Sequence, residues 1–368
     1  MKKIVILTDS ICKIGGIESL INLKANYWVT KRDYTIHIIT TEQQGRKPLF
    51  DMNPKIKLHD LSLNYDRNSS YFGPKNLLKV FKNYFRLQKK LDAIEPDFII
   101  IANHIPVTFF FTFLRTKAKF IKEFHFSKYN RAQNRNISLF RKYENYLETK
   151  YDHLVVLNPE ERAFYNTPNT VTIPNPIADT FGKEPMYNNR DQIAMAAGRI
   201  TPVKRFDVLI DIWSVFVKQN KDWQLVIYGD GEESYVNFLK EKTEVLHISA
   251  NVTFMGSVKN IQAKMKDAGL YLMTSSQECF PMVLLEAQSS GLPIIAFDCP
   301  TGPRNIITNN EDGILVPLDD HDKFVSQLIA LTNDEELRIH LAKNGYKNSK
   351  QYAIDEIMAI WDEKVLKN

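Results

Sequence analysis

Between Ile4 and Phe297 short apolar runs alternate with longer segments whose apolar residues recur every three or four positions, and the series runs twice. Runs of that length read as strands, and strands joined through helices lie parallel in a sheet covered on both faces. The first series predicts strands at Ile4–Thr8, Tyr34–Thr40, Ile56–Leu61, Phe98–Ala102, Phe120–Phe124 and His153–Leu157, with helices at Ile17–Val29 and Pro74–Leu91. The second predicts strands at Ile193–Ala197, Gln224–Tyr228, Val252–Met255, Leu270–Met273 and Pro293–Phe297, with helices at Phe206–Lys218, Glu233–Val245 and Phe324–Leu331. Between them, after Ile173-Pro-Asn-Pro176, Asp179 to Asp191 mixes Gly, Pro, Asn and charge, as a linker does. The expectation is α/β: two doubly wound domains, 1–182 and 183–350. Residues 351–368 carry apolar positions 354, 357, 358, 360, 361 and 365, a helical stripe expected to pack back on the first domain.

A length of 368 residues suits two cores, and 44% hydrophobic with 25% charged residues suits a water-soluble protein. Cys12, Cys279 and Cys299 have neither metal-ligand nor pairing spacing, which points to a reducing compartment. The apolar run in Met1–Asp9 is too short for a signal peptide and reads as a strand, so the expected location is cytoplasmic. Phe98–Leu114 is uncharged, but Asn103, His104 and Pro106 break it below the roughly 20 residues of a spanning helix. It reads as strand, turn and packed helix.

In doubly wound sheets, ligands bind beyond the carboxyl ends of the strands. Glu278-Cys-Phe-Pro-Met-Val-Leu-Leu-Glu286 follows one such end, with Pro281 expected as the first residue of a helix and Gly291-Leu-Pro293 beyond it. Glu278 then lies over the open helix end, and Glu286 roughly one and a half turns inside. The free N–H groups of the first turn between them favour an anion. A molecule with a polyol at each end and phosphate between them, such as a nucleotide sugar, matches that layout. The plainer alternative makes Glu278 a cap and Glu286 an ordinary surface carboxylate.

Another strand end carries Gly198-Arg199-Ile-Thr-Pro-Val-Lys204. Arginine as a two-pronged donor and lysine as a point charge can hold a diphosphate; otherwise they are solvated cations. Tyr228-Gly-Asp-Gly231 and Met255-Gly-Ser257, with Gly229 and Gly256, can wall a base or be plain turns, and Gly15-Gly16 can admit a ligand or simply turn the chain. Asp320-His-Asp322 reads as a helix cap rather than a metal site.

Taken together, the Gly-Gly loop, Pro-Asn linker, Gly-Arg…Lys, Tyr-Gly-Asp-Gly, Met-Gly and Glu-x7-Glu with Gly-Leu-Pro resemble the retaining glycosyltransferases of family 4. The resemblance implies a GT-B fold, with two Rossmann-like domains facing across a cleft. It implies that Arg199 and Lys204 bind the donor diphosphate, Glu286 the ribose hydroxyls and Glu278 a hydroxyl of the transferred sugar. It also places Gly15 and Gly16 under the diphosphate and the N–H groups of Phe280, Met282 and Val283 around it. His125 falls where the family often has a cleft histidine near the donor sugar, and it can equally be structural; His104 is a weaker candidate. Asp298-Cys-Pro-Thr-Gly-Pro-Arg304 and Asp312-Gly313-Ile-Leu-Val-Pro317 resemble the branch that builds bacterial surface polysaccharides from UDP-hexoses or UDP-N-acetylhexosamines. Pro174-Asn175-Pro176 departs from the family's usual Asn-Gly, a difference expected to alter hinge stiffness more than chemistry. Fixed cations and helix N–H groups stabilise a departing diphosphate, so no metal is expected.

Residues 70–150 hold 16 Lys and Arg against 6 Asp and Glu, whereas the whole chain is +5. The helix expected at 74–91 carries Leu77, Leu78, Phe81, Tyr84, Phe85 and Leu91 on one side, with Lys75, Lys79, Lys82, Arg86, Lys89 and Lys90 around the other. Either this helix lies on an anionic membrane near a lipid-linked glycan acceptor, or its apolar side packs on the first sheet. Competing functions are a sugar-nucleotide epimerase or phosphorylase, and a binder of anionic surfaces or nucleic acid. Against the last, no nucleic-acid motif is present. Acceptor contacts are expected from Leu61–Gly73 and Tyr129–Ser138, where no pattern is legible.

Overall fold

A computed structural model describes residues 1–129, 138–165, 167–178, 184–188 and 190–367. Most of the loop expected at Tyr129–Ser138, and part of the linker expected at Asp179–Asp191, lie outside these residues. The chain divides into two units, residues 1–176 with 357–368, and residues 177–356.

In the first unit, strands β1 (Lys3–Thr8), β2 (Thr35–Thr40), β3 (Lys57–Asp60), β4 (Phe98–Ile101), β5 (Lys119–Glu123), β6 (His153–Val156) and β7 (Thr170–Thr172) form one parallel sheet in the order 3-2-1-4-5-6-7. The second unit repeats the plan with β8 (Asp191–Ala197), β9 (Gln224–Tyr228), β10 (Val252–Gly256), β11 (Ala268–Met273), β12 (Ile294–Asp298) and β13 (Ile314–Pro317), ordered 10-9-8-11-12-13. Each sheet reverses its winding beside its first strand, so the loops after β1 and β4, and after β8 and β11, flank a natural crevice. β11 is buried along its whole length, as a central strand covered on both faces must be.

Several elements escaped the periodicity, the short helices Leu139–Glu148, Pro159–Arg162 and Ile261–Met265 among them. β7 and β13 are three- and four-residue edge strands, and the helix Glu335–Ser349 buries only a narrow face that includes Leu341, Ala342, Gly345 and Tyr346. Pro281 stands at the N-cap, one position ahead of the helix Met282–Ser289. The apolar run after β4 folds as a short helix, Val107–Phe110, and a 3-10 turn, Phe111–Phe113. Among the described residues no helix is long and apolar enough to cross a membrane.

The helix Pro74–Ile94 corrects one expectation. Its packed face is Asn76, Val80, Asn83, Leu87, Leu91 and Ile94, while Leu77, Leu78, Phe81 and Phe85 are 41%, 74%, 58% and 67% exposed. Two asparagines are buried because their amides are bonded: Asn76 Nδ2 donates to Asp66 O at 2.9 Å, and Asn83 Nδ2 to the Tyr65 hydroxyl at 3.1 Å. Polar residues therefore mark the inner face, and most of the apolar stripe faces outward.

The C-terminal helix, Ile354–Lys364, places Trp361 edge-on against Trp28 with ring centroids 5.8 Å apart, and both indoles are buried.

Candidate active site

In the second unit, the loops across the β8/β11 switch are laced together. Thr274 Oγ1, just past β11, donates to the carbonyls of Lys204 (3.3 Å) and Arg205 (3.0 Å), and the Ser276 N–H donates to Val203 O at 2.9 Å. These bonds seat the β11 loop on the 3-10 turn Pro202–Lys204 that follows β8. So placed, the Lys204 ammonium forms an ion pair with the Glu278 carboxylate, their side chains 22% and 11% exposed.

Glu278 therefore pairs across the crevice instead of capping the helix. Glu286 stands half-buried on that helix, where loss of water pushes its pKa up to about 7. Between β8 and β11 the buried Tyr271 hydroxyl donates to Ala197 O at 3.0 Å. Its pKa is raised first by burial, then by the charges of Glu286 and Glu278, so both carboxylates bear on one phenol. Among the described residues the N–H groups of Met282 and Val283 have no backbone partner, as expected for a first helical turn. Phe280, just before it, is buried against Tyr352.

The neighbouring strand ends close the crevice. Gly229 has φ of +140°, and a Cβ there would lie 1.8 Å from Gly198 O, so no other residue fits. The Gly229 N–H donates to Gly256 O at 2.9 Å, which brings the three glycine loops side by side. Arg199 lies in the first of these loops, exposed.

In the first unit, Gly15 is the N-cap of the helix Gly16–Lys31, and a side chain at Gly16 would meet nothing within 4 Å. The β1 and β4 loops are joined where Asn103 Nδ2 donates to Asp9 Oδ1 at 2.8 Å, and Arg67 pairs with Asp9 and Glu42, each at 2.9 Å. His125 follows β5, its Nε2 at 3.0 Å from Glu123 Oε2. It lines a cavity of about 470 Å³ together with Asn103, His104, Lys122 and several aromatic rings. Burial lowers the Lys122 pKa to about 7, and its Nζ donates to Asn103 O at 2.6 Å. His104 is exposed, edge-on to Phe109.

Residues 179–348 match the family model described as glycosyl transferases group 1. The whole chain is 28% identical to an uncharacterized glycosyltransferase of Haemophilus influenzae, covering 98% of this chain and 99% of the relative. It is 27% identical to the amylovoran biosynthesis glycosyltransferase AmsD of Erwinia amylovora, covering 99% of each. A crystal structure of a TarM mutant of S. aureus, in complex with Fondaparinux, alpha-GlcNAc-glycerol and UDP, superposes with a TM-score of 0.78 over 99% of each chain at 16% identity. The fold is thus GT-B: two parallel-sheet, Rossmann-like α/β units.

The second unit groups Gly198, Lys204, Gly229, Gly256, Glu278 and Glu286 around one switch point. Gly15, Gly16 and His125 belong to the other unit. Sequence reasoning missed the support beneath Glu278: Thr301 Oγ1 donates to Glu278 O at 2.7 Å, and a Cβ on Gly302 would fall 2.5 Å from Glu278 Cβ. The signal was present in the Thr-Gly-Pro turn after β12, which had served only as a mark of family branch. Asp320 does cap its helix, accepting from Lys323 N at 3.0 Å.

Proposed function

We propose that this glycosyltransferase moves a hexose or N-acetylhexosamine, with retention, from a UDP-sugar to a glycan acceptor in surface polysaccharide biosynthesis. The observation that carries the reading is the Lys204–Glu278 pair, which spans the β8/β11 switch directly before a helix with free N–H groups. The name of AmsD, a relative over nearly the full length, and the UDP in the TarM complex support the pathway and the donor.

The charges give each residue a task. Glu286 accepts from the ribose hydroxyls, and the Met282 and Val283 N–H groups receive the diphosphate. As the glycosidic bond breaks, negative charge grows on the diphosphate while the sugar becomes oxocarbenium-like. Lys204 and Arg199 stabilise the first change and Glu278 holds a hydroxyl of the sugar, so binding strengthens toward the transition state. This arrangement supplies positive charge from side chains, and the reading includes no metal.

The acceptor is proposed to be lipid-linked, with the enzyme peripheral on the cytoplasmic face of a membrane. On the helix Pro74–Ile94, exposed Leu78, Phe81 and Phe85 share the outward face with Lys75, Lys82 and Lys89. Apolar side chains and cations on one face suit an anionic bilayer.

The test is UDP release from a panel of UDP-sugars, with and without chelator, alongside thermal shifts for a panel of nucleotides. A true donor at about 100 times its Kd stabilises the protein by about 2.7 kcal/mol. Release that survives chelation, and a product keeping the donor's anomeric configuration, are the expected results. Indifference to every nucleotide in both assays would end the proposal.

A further inference from the structure

Beneath His125 lies a charged assembly that the proposed reaction leaves unused. Lys24 Nζ stands 2.6 Å from Glu123 Oε2, both side chains 3% exposed, although they come from a helix and a strand 99 residues apart. The indole of Trp361 covers the ammonium, its centroid 4.8 Å away. The same carboxylate oxygen is 3.0 Å from His125 Nε2. An ionised carboxylate only accepts hydrogen bonds, so the imidazole must carry its proton on Nε2. Burial lowers the His125 pKa against the pull of Glu123, which favours the neutral ring. Nδ1 is then a bare acceptor. It is buried, without a hydrogen-bond partner among the described residues, and belongs to a side chain that lines the cavity shared with Asn103 and Lys122. A buried polar atom with no partner calls for an explanation, and a ligand hydroxyl is the group that fits a bare ring nitrogen.

We propose that Lys24 and Glu123 are positioning residues that hold His125 as the Nε2–H tautomer, so that Nδ1 accepts a hydrogen bond from a sugar hydroxyl in this cavity. The proposal rests on the glycosyltransfer reading for the identity of the hydroxyl, and on the Glu123–Nε2 contact of a neutral ring and the unpartnered Nδ1 for the tautomer. Lys24 keeps the buried carboxylate ionised, the carboxylate fixes the ring, and the ring presents its lone pair. Orienting partners of this kind are worth about 10–100-fold where histidine ligates a metal, and a similar loss is expected here. Removing the equivalent orienting carboxylate of a serine protease leaves the wrong tautomer, which is the same physical failure.

The experiment compares the full-length wild type with K24M/E123L, which deletes both charges and the acceptor, and with K24M/E123Q, which restores a neutral acceptor. Imidazole ¹⁵N spectra, assigned through His125→Asn, should show one Nε2–H tautomer in the wild type, a mixture in K24M/E123L and recovery in K24M/E123Q. Turnover of the UDP-sugar should fall about 10–100-fold in the leucine variant and largely recover in the glutamine variant, with thermal stability measured on each. A loss that extends to donor hydrolysis without acceptor places the hydroxyl on the donor; a loss confined to transfer places it on the acceptor. A proton found on Nδ1 in the wild type, or turnover within about twofold of wild type in K24M/E123L, overturns the proposal. A wild type inert toward every sugar nucleotide would instead remove the proposed function, and the nitrogen spectra would still decide the tautomer.

Discussion

Lys204 and Glu278 are two ordinary charged residues until hydrogen bonds from Thr274 and Ser276 lock their loops together. Lys204→Ala is expected to lower turnover about 10²–10³-fold, because it removes a fixed charge that acts mainly in the transition state. Intact circular dichroism with near-normal turnover would deny Lys204 that role. Glu286 makes a different prediction. Its folded pKa of about 7 lies above the ordinary carboxylate value of 4.5, so its contribution to stability is fully present below about 4.5 and is lost as pH rises through 7. Glu286→Gln should therefore stabilise the unliganded protein at pH 8 by on the order of 1 kcal/mol, the half-buried site being partly screened, and by little at pH 4. The same variant should bind UDP about 10-fold more weakly, since a charge-assisted hydrogen bond to ribose is lost. Denaturant melts at both pH values and titration calorimetry read the two effects, and a stabilised variant with unchanged affinity would separate Glu286 from the ribose.

At the scale of elements, the helix Pro74–Ile94 is the least expected feature. Its inner face holds Asn76 and Asn83 because the amide groups find partners there, and its outer face is left with Leu78, Phe81 and Phe85. The helix Leu139–Glu148 adds exposed Leu139, Phe140 and Tyr146 in the same unit. Sedimentation with vesicles carrying an anionic lipid should recover the protein at low salt and release much of it at high salt, as charge screening requires. Leu78→Gln/Phe81→Gln/Phe85→Gln should abolish recovery while leaving stability near that of the wild type, because these side chains bury little surface. Equal recovery on neutral and anionic vesicles would leave the ridge without this role.

On the scale of the whole molecule, the last helix ties the end of the chain to the unit that contains its beginning. Trp361 meets Trp28 and lies over Lys24, so Trp361→Ala should cost about 3–5 kcal/mol in urea unfolding, concentrated in the transition of the first unit. An unchanged midpoint would mean that the helix is a passenger. Most strands, both glutamates, the Gly-Arg…Lys loop and the terminal helix were legible because each is announced by residues close in sequence: an apolar run, a glycine at a strand end, a stripe at helical spacing. Local chemistry also sufficed for the Asp320 cap. The chain alone thus determined two doubly wound sheets and the loops that could carry chemistry. Only the tertiary structure decided that Lys24 faces Glu123, that Gly302 supports Glu278 and that the asparagines of one helix point inward. Each of those is a pairing between distant segments, formed when burial removes water and a charge or amide must find its partner inside the protein, and no spacing along the chain records which partner that is.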